Sequence, residues 1–226
     1  MCGRVRLSSD YSEIKIKLKF DADAPAQTFE ADLNKQLTAP MLVAPSAEES
    51  RHRKIDAKPM TELPVLRRNP ETNEITLTNL RWGLIPHWMK MRPERPPINA
   101  RAETVAEKRM FSDAYARRRC IVPMDAFYER DNRKKLHAFG MKDGKPFGVA
   151  GIWENWRNQN GDWERTFCII TVAPNELVGA IHDRMPAIIS VEHHASWLGT
   201  DPDPRDLLKP FLADRMKMLG RSGNGR

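Results

Sequence analysis

The chain has 226 residues, with 37 Lys and Arg against 30 Asp and Glu, a formal net charge of +7, 40% hydrophobic and 30% charged residues. This length and balance suit a globular protein of one large domain or two small ones and exclude a disordered or fibrous chain. No apolar run approaches the ~20 residues of a membrane span, and no apolar core of a secretory signal opens the sequence, so no membrane partner and a cytoplasmic location are expected.

In chain order, Ile14 through Phe20 alternates apolar and basic residues and reads as a half-buried strand, although Ile14 and Leu18 also sit at helical spacing. Residues 21–60 are polar, bear prolines and read as irregular, with Leu42-Val43-Ala44-Pro45 as their compact apolar piece. Pro64-Val65-Leu66 and Glu74-Ile75-Thr76-Leu77 flank a turn sequence, Asn69 through Asn73, and predict a hairpin. Thr104 through Ala116 carries Val105, Met110, Phe111 and Tyr115 and predicts a helix. Strands are predicted at Cys120–Val122, Ala126–Glu129, Leu136–Met141, Phe147–Ile152, Thr166–Val172 and Ala187–Ser190, with Asp143-Gly144 and Asn160-Gly161 as hairpin turns. Short helices are predicted at Pro174–Ile181, with Asn175 near the N-cap, and at Val191–Leu198 and Arg205–Phe211. Seventeen prolines spread along the chain keep helices short. The fold class is α+β, a single β-rich domain rather than a doubly wound sheet. Residues 1–219 form that domain and 220–226 a disordered basic tail.

Three cysteines cannot all pair with one another, and Cys120 and Cys168 lie in apolar strand sequences as core thiols. No CxxC or His-Cys cluster suggests a metal, and His193-His194 reads as a helix surface. Neither metal nor cofactor is expected. Basic clusters at Arg51-His52-Arg53-Lys54, Arg117-Arg118-Arg119 and Arg133-Lys134-Lys135 favour a polyanionic partner, nucleic acid first. No helix-turn-helix or zinc finger accompanies them, so sequence-specific readout is not expected.

Cysteine at position 2, in Met1-Cys2-Gly3-Arg4, carries the most chemistry. Removal of Met1 leaves an amine and a thiol on adjacent carbons, an arrangement that captures aldehydes as a five-membered thiazolidine. An α-amino group has a pKa of about 7.7–8.0 against about 10.4 for lysine, so far more of it is neutral and nucleophilic at pH 7. Three further segments stand with it: Ile98-Asn99-Ala100-Arg101-Ala102-Glu103, Phe127-Tyr128-Glu129 and Ile181-His182-Asp183-Arg184-Met185-Pro186. Taken singly, Asn99 reads as a turn residue, Glu129 as a strand-end charge and His182 as a helix cap.

In this order, with Arg81 through Trp88 and Ala106 through Phe111, the segments resemble the SRAP family, the SOS-response-associated peptidase or abasic-site processing proteins. The resemblance runs from residue 2 to about residue 215. It implies the SRAP fold, in which strands form a barrel-like core with short peripheral helices. It also implies a monomer that senses abasic sites in single-stranded DNA and bonds to them covalently. Cys2 corresponds to the nucleophile, and Asn99, Glu129 and His182 to the other catalytic positions. Asn99 would hold the Cys2 amine, Glu129 would shuttle protons during dehydration, and His182 would act as a general acid. Arg4, Arg101, Arg109, Thr171 and Arg184 match positions that contact DNA. Trp82 and Trp88 lie in the segment near the lesion, where each either stacks on a base or packs in the core. AP-lyase activity is expected as a side reaction, and Met1–Cys2 is the bond that self-cleavage or an aminopeptidase would break. Alternatives are a non-covalent module for modified DNA and a cysteine peptidase acting on other proteins. The chain departs from the family at Met41-Leu42, where Trp/Tyr-Asn is usual, at Arg130, where an aromatic is common, and at the C-terminus, which lacks a Trp-Pro-Val-Ser stretch.

Overall fold

The computed structural model describes residues 2–8, 55–70, 72–201 and 203–219. Its strands are β1 (Val5–Leu7), β2 (Ile55–Ala57), β3 (Glu62–Arg68), β4 (Ile75–Trp82), β5 (Asn99–Arg101), β6 (Arg119–Met124), β7 (Ala126–Arg130), β8 (Leu136–Met141), β9 (Phe147–Arg157), β10 (Trp163–Val172), β11 (Met185–Pro186), β12 (Ile188–Ile189) and β13 (Met216–Leu219). The α-helices are single turns or little more: α1 (Ser112–Arg117), α2 (Glu176–Gly179) and α3 (His194–Trp197).

Five strands close on themselves. β10 pairs in parallel with β4, and antiparallel pairings β4–β3, β3–β6, β6–β9 and β9–β10 complete the ring. Barrel closure removes free edges from the ring. It also explains why β6 and the middle of β9 and β10 read as continuous apolar runs rather than alternating ones: both faces are covered. Pro123, which has no N–H to donate, sits in β6 beyond the stretch that pairs with β3.

A second antiparallel sheet, ordered β13–β8–β7–β1–β2, packs on the barrel. One residue, Asp125, separates β6 from β7, and its N–H bonds to the Arg6 carbonyl at 2.7 Å. Phe127 of β7 stacks on Phe139 of β8 at 5.2 Å and meets Phe147 of β9 edge-on at 6.5 Å, tying the sheet to the ring. Below α1 the buried guanidinium of Arg119 donates to the carbonyls of Trp197, Tyr115, Ala116, Gly199 and Asp201, so one side chain fastens the segment after α3 to the barrel. No helix among the described residues is long and apolar enough to cross a membrane.

Most predicted strands are present and longer than their apolar runs, β9 and β10 above all. The helix predicted over 104–116 is not continuous: only Ser112–Arg117 is helical, and separate turns precede it, with Lys108 bonded to Thr104 and Ser112 to Lys108. At about 100° per residue, Val105 and Ala114 would face opposite sides of a single helix; both are buried, and breaking the helix lets both reach the core. The helix predicted over 205–211 reduces to a 3-10 turn at Arg205–Leu207, because Pro210 keeps the residue before it out of the helical region. His194 is buried rather than on the surface, its Nε2 at 3.0 Å from the Ile189 carbonyl. It packs over Gly148, where an added Cβ would come within 2.9 Å of that nitrogen. Residues 216–219, which carry no strand signal, add β13 to the edge of β8. The strand expected at Ile14–Phe20, the Met41-Leu42 departure and the tail 220–226 lie outside the described residues.

Candidate active site

β10 organises the site. Its first half pairs with the end of β4, and its second half pairs on the same side with β5, Ile169 opposite Asn99 and Thr171 opposite Arg101. The chain therefore leaves the barrel at Trp82 and rejoins β10 at Asn99. Gly83 makes the exit possible. Its φ of 140° suits glycine, and an added Cβ would lie 3.1 Å from the Met60 sulfur and 3.2 Å from the Pro96 ring. β11 pairs with the end of β10, Thr171 opposite Pro186, which brings in the segment carrying His182. That segment is shaped by α2, where the Asn175 side chain caps Val178 N–H at 3.0 Å and His182 N–H folds back onto the Val178 carbonyl at 2.9 Å.

Cys2 and Glu129 arrive from the second sheet. β1 is held between β2 and β7, and Tyr128 N–H bonds to the Arg4 carbonyl at 3.0 Å. Cys2 is fully buried, its Sγ 4.0 Å from the Arg4 carbonyl, and Glu129 is 3% exposed. Asn99 reaches across from β5: its Nδ2 donates to the Cys2 carbonyl at 2.9 Å. Its Oδ1 is buried with no hydrogen-bond partner among the described residues. His182 Nε2 lies 3.8 Å from Glu129 Oε2. His182 Nδ1 is held on its other side by the Arg184 N–H at 3.0 Å, the Asp183 carboxylate at 3.1 Å and the Arg184 carbonyl at 3.3 Å, which leaves Nε2 facing Glu129. The four side chains singled out in the sequence, from residues 2, 99, 129 and 182, thus converge where the two sheets meet.

Burial raises the Glu129 carboxyl above the usual carboxylate range, opposed in part by the positive charge of the amino terminus and, after it, of His182. Burial, reinforced by Glu129, pushes the Cys2 thiol far above its ordinary range. A thiol so placed stays protonated until a base takes its proton, and Glu129 is the carboxylate whose charge reaches it. The arrangement combines a sulfur, an amide with an open acceptor, a carboxyl inclined to hold a proton and an imidazole.

The residues expected to grip DNA differ among themselves. Arg101 and Arg109 are exposed. Arg109 lies over the Trp88 ring at 4.5 Å, and Trp88 is 40% exposed. Trp82 has no exposed surface: it stacks on Phe167 at 6.3 Å and its indole N–H bonds to the Ile98 carbonyl at 2.9 Å, so it takes the core alternative and has no face to offer a base. Thr171 is buried, its hydroxyl 3.3 Å from the Ala100 carbonyl. Arg4 forms a forked pair with Asp56, with Nε at 2.7 Å from Oδ1, and lies over the Tyr128 ring. Arg184 forms a forked pair with Glu103 at 2.6 and 2.8 Å and donates to the Thr171 carbonyl at 2.6 Å. Asp56 and Glu103 carry no distinguishing signal of their own in the sequence, although Glu103 closes the segment that contains Asn99.

One group among the described residues offers metal-ligand atoms: His87, Asp113 and Glu154, whose donor atoms lie within 4.8 Å of one another. Arg118 already bridges the two carboxylates, bonded to Asp113 and 3.1 Å from Glu154, and holds the Asp113 carboxyl below its usual range. The seat of a cation there is filled by a guanidinium.

Fold and site together define a closed β-barrel protein that brings a near-terminal thiol against an amide, a carboxyl and an imidazole. The chain belongs to the SRAP family: the family model described as SOS response associated peptidase (SRAP) matches residues 1–220. It is similar to the abasic site processing protein YoqW of Bacillus subtilis, 35% identical with 96% of this chain and 90% of that protein covered. The abasic site processing protein YedK of Escherichia coli is 35% identical over about half of each chain, 52% of both. Among solved structures, a protein from Bacteroides thetaiotaomicron superposes with a TM-score of 0.74 at 25% identity, covering 97% of this chain and 93% of that one.

Proposed function

We propose that the protein processes abasic sites in single-stranded DNA as part of the DNA damage response, capturing the ring-opened sugar aldehyde on Cys2 once Met1 has been removed. The observation that carries this reading is the convergence of Asn99, Glu129 and His182 on Cys2. Family membership and the printed names of YoqW and YedK support it.

The reaction follows from the protonation states. With the thiol held neutral, the freed α-amine is the first nucleophile, and the open Oδ1 of Asn99 accepts its N–H and aims its lone pair. The amine adds to the aldehyde carbon to give a carbinolamine. Glu129, whose burial favours the acid form, or His182 donates a proton to the departing hydroxyl, and water leaves an imine. Sγ then adds to the imine carbon. Its proton passes through the Glu129 carboxylate to the ring nitrogen, so one water is the net loss. An imine at C1′ acidifies the C2′ protons and permits strand scission, the AP-lyase side reaction; ring closure on sulfur suppresses it. In this reading the one peptide bond cleaved is Met1–Cys2. Arg101, Arg109 and Trp88 offer exposed cationic and aromatic surface to a strand, and Arg4 and Arg184 carry guanidinium forks that a phosphate would have to take over from Asp56 and Glu103.

An oligonucleotide with one abasic site, incubated with the protein and run on a denaturing gel, tests this. A retarded band is expected from protein whose intact mass shows Met1 lost, and none from Cys2→Ala. A stable band of wild-type strength from Cys2→Ala would overturn the mechanism. Binding without a covalent band from protein lacking Met1 would favour a non-covalent module.

A further inference from the structure

The Arg184 fork is occupied. Glu103 meets both terminal nitrogens, Oε1 on Nη1 at 2.6 Å and Oε2 on Nη2 at 2.8 Å. The partners are unequal. The Arg184 side chain is 12% exposed and held by a second bond to the Thr171 carbonyl, whereas that of Glu103 is 54% exposed at the rim. Arg184 is therefore the fixed half of the pair and Glu103 the half that can leave. Glu103 also leaves its partner incompletely satisfied, since Arg184 Nε is buried with no hydrogen-bond partner among the described residues. Arg101, two residues before Glu103, is exposed and close enough for its charge to act on that carboxyl.

A carboxylate and a phosphate diester both present two oxygens to a guanidinium fork, and an arginine that binds one binds the other by the same geometry. We propose that Glu103 is a built-in phosphate mimic: it fills the seat at Arg184 in the free protein and yields it to a backbone phosphate of the incoming strand. This rests on the reading of Arg184 as a DNA contact. When Glu103 withdraws, Arg184 stays in place on Thr171 and two guanidinium groups face the strand, whereas with Glu103 seated one of them is neutralised. Glu103 then sets how readily the protein engages any single strand, and so its preference for strands that bend into the site over those merely passing by. The forked pair of Arg4 with Asp56 repeats the same chemistry on the second sheet.

Glu103→Gln keeps the shape of the side chain and removes the charge. Fluorescence anisotropy with a labelled, undamaged oligothymidine strand, at low and moderate salt, reads the effect on binding. With Glu103 half in solvent the pair is weak, so a rise in affinity of about two- to fivefold is expected. The gain should vanish in an Arg184→Met background, and Glu103→Asp should stay near wild type. With an abasic strand, the DNA concentration giving half-maximal crosslinking rate should fall while the maximal rate holds. Equal affinities for wild type and Glu103→Gln, with binding measurable in both, would overturn the proposal and leave the DNA reading standing. A lower maximal rate at unchanged half-saturation would also overturn it and make Glu103 a brace for the His182 loop. Failure of either protein to bind any strand would sink the DNA reading itself. Matching melting temperatures exclude a folding defect as the cause.

Discussion

His182 Nε2 sits 3.8 Å from Glu129 Oε2, while a main-chain N–H from Arg184 occupies the other ring nitrogen. The imidazole is thus held on its Nδ1 side by its own loop, Asp183 included, and turns Nε2 towards a carboxyl that burial already biases towards holding a proton. Two acid–base groups of different type share one small volume. His182→Gln, which preserves a polar side chain, is expected to slow covalent capture by about 10²–10⁴-fold, the usual range for a general acid. Single-turnover gel assays with an abasic strand check this, and a rate within a factor of two of wild type would remove His182 from the mechanism.

Glu129 makes a prediction about stability as well as rate. Its pKa in the folded protein is raised above that of the unfolded chain, so its contribution to stability is present at pH below the ordinary carboxylate range and is lost as pH rises through the folded value. At neutral pH the buried carboxylate is a cost. Glu129→Gln should therefore melt at a higher temperature than wild type at pH 7–8, with the gap closing as pH falls towards about 4, near the unfolded glutamate pKa. The same variant should lose covalent capture. Thermal melts across pH, beside the gel assay, test both halves.

Asn99 spends its amide N–H on the Cys2 carbonyl and keeps its oxygen open. Asn99→Ala should lower the crosslinking rate about tenfold, the size of one hydrogen bond to a reacting group. Asn99→Asp should be worse, because an acceptor would then face the Cys2 carbonyl. If Asn99→Asp captures abasic DNA faster than Asn99→Ala, the amide does not orient the chain end.

The two tryptophans of the Trp82–Trp88 segment should separate cleanly. Trp82→Ala empties a wholly buried site and should cost about 3–5 kcal/mol in urea unfolding. Trp88→Ala should cost less than about 1 kcal/mol of stability but weaken strand binding, since a stacked base contributes about 1–3 kcal/mol. Anisotropy and denaturation on the same preparations distinguish the outcomes.

Arg119 is a structural arginine. Replacing it with Met strands carbonyls at the end of α3 and in the segment after it and should cost about 2–4 kcal/mol of folding free energy. Crosslinking by the fraction that remains folded should be unchanged. A stability loss below about 1 kcal/mol would show that water replaces the guanidinium.

That residues 2, 99, 129 and 182 come together was legible because the candidate site draws on short segments. Cys2 stands out by position and reactivity, and Asn99, Glu129 and His182 by the company they keep in the family resemblance. The strands were legible from apolar runs and from Asp143-Gly144 and Asn160-Gly161, where both glycines do adopt positive φ. Boundaries failed where tertiary contacts decide. Trp156 near the end of β9 belongs to its strand because it packs and bonds to the Met89 carbonyl at 2.6 Å, information held 67 residues away. Val105 and Ala114 needed opposite faces of a helix to meet one core, and no local pattern shows which will give way. Trp82 and Trp88 share a motif and a residue type, and only barrel closure tells the buried one from the exposed one. The state of Arg4 and Arg184 was invisible because their carboxylate partners lie 52 and 81 positions distant.

The short strand that follows Cys2 is laced on both sides, to β2 and to β7. If Cys2 is the nucleophile, as proposed, its reach is short, because the chain is anchored from the Arg4 carbonyl onward, and a carbonyl has to come to it. Selectivity then falls to the mechanics of the ligand. On the proposed function, a pliant strand with a missing base would bend to that fixed point at less expense than a stiff duplex or a bulky aldehyde on a rigid frame.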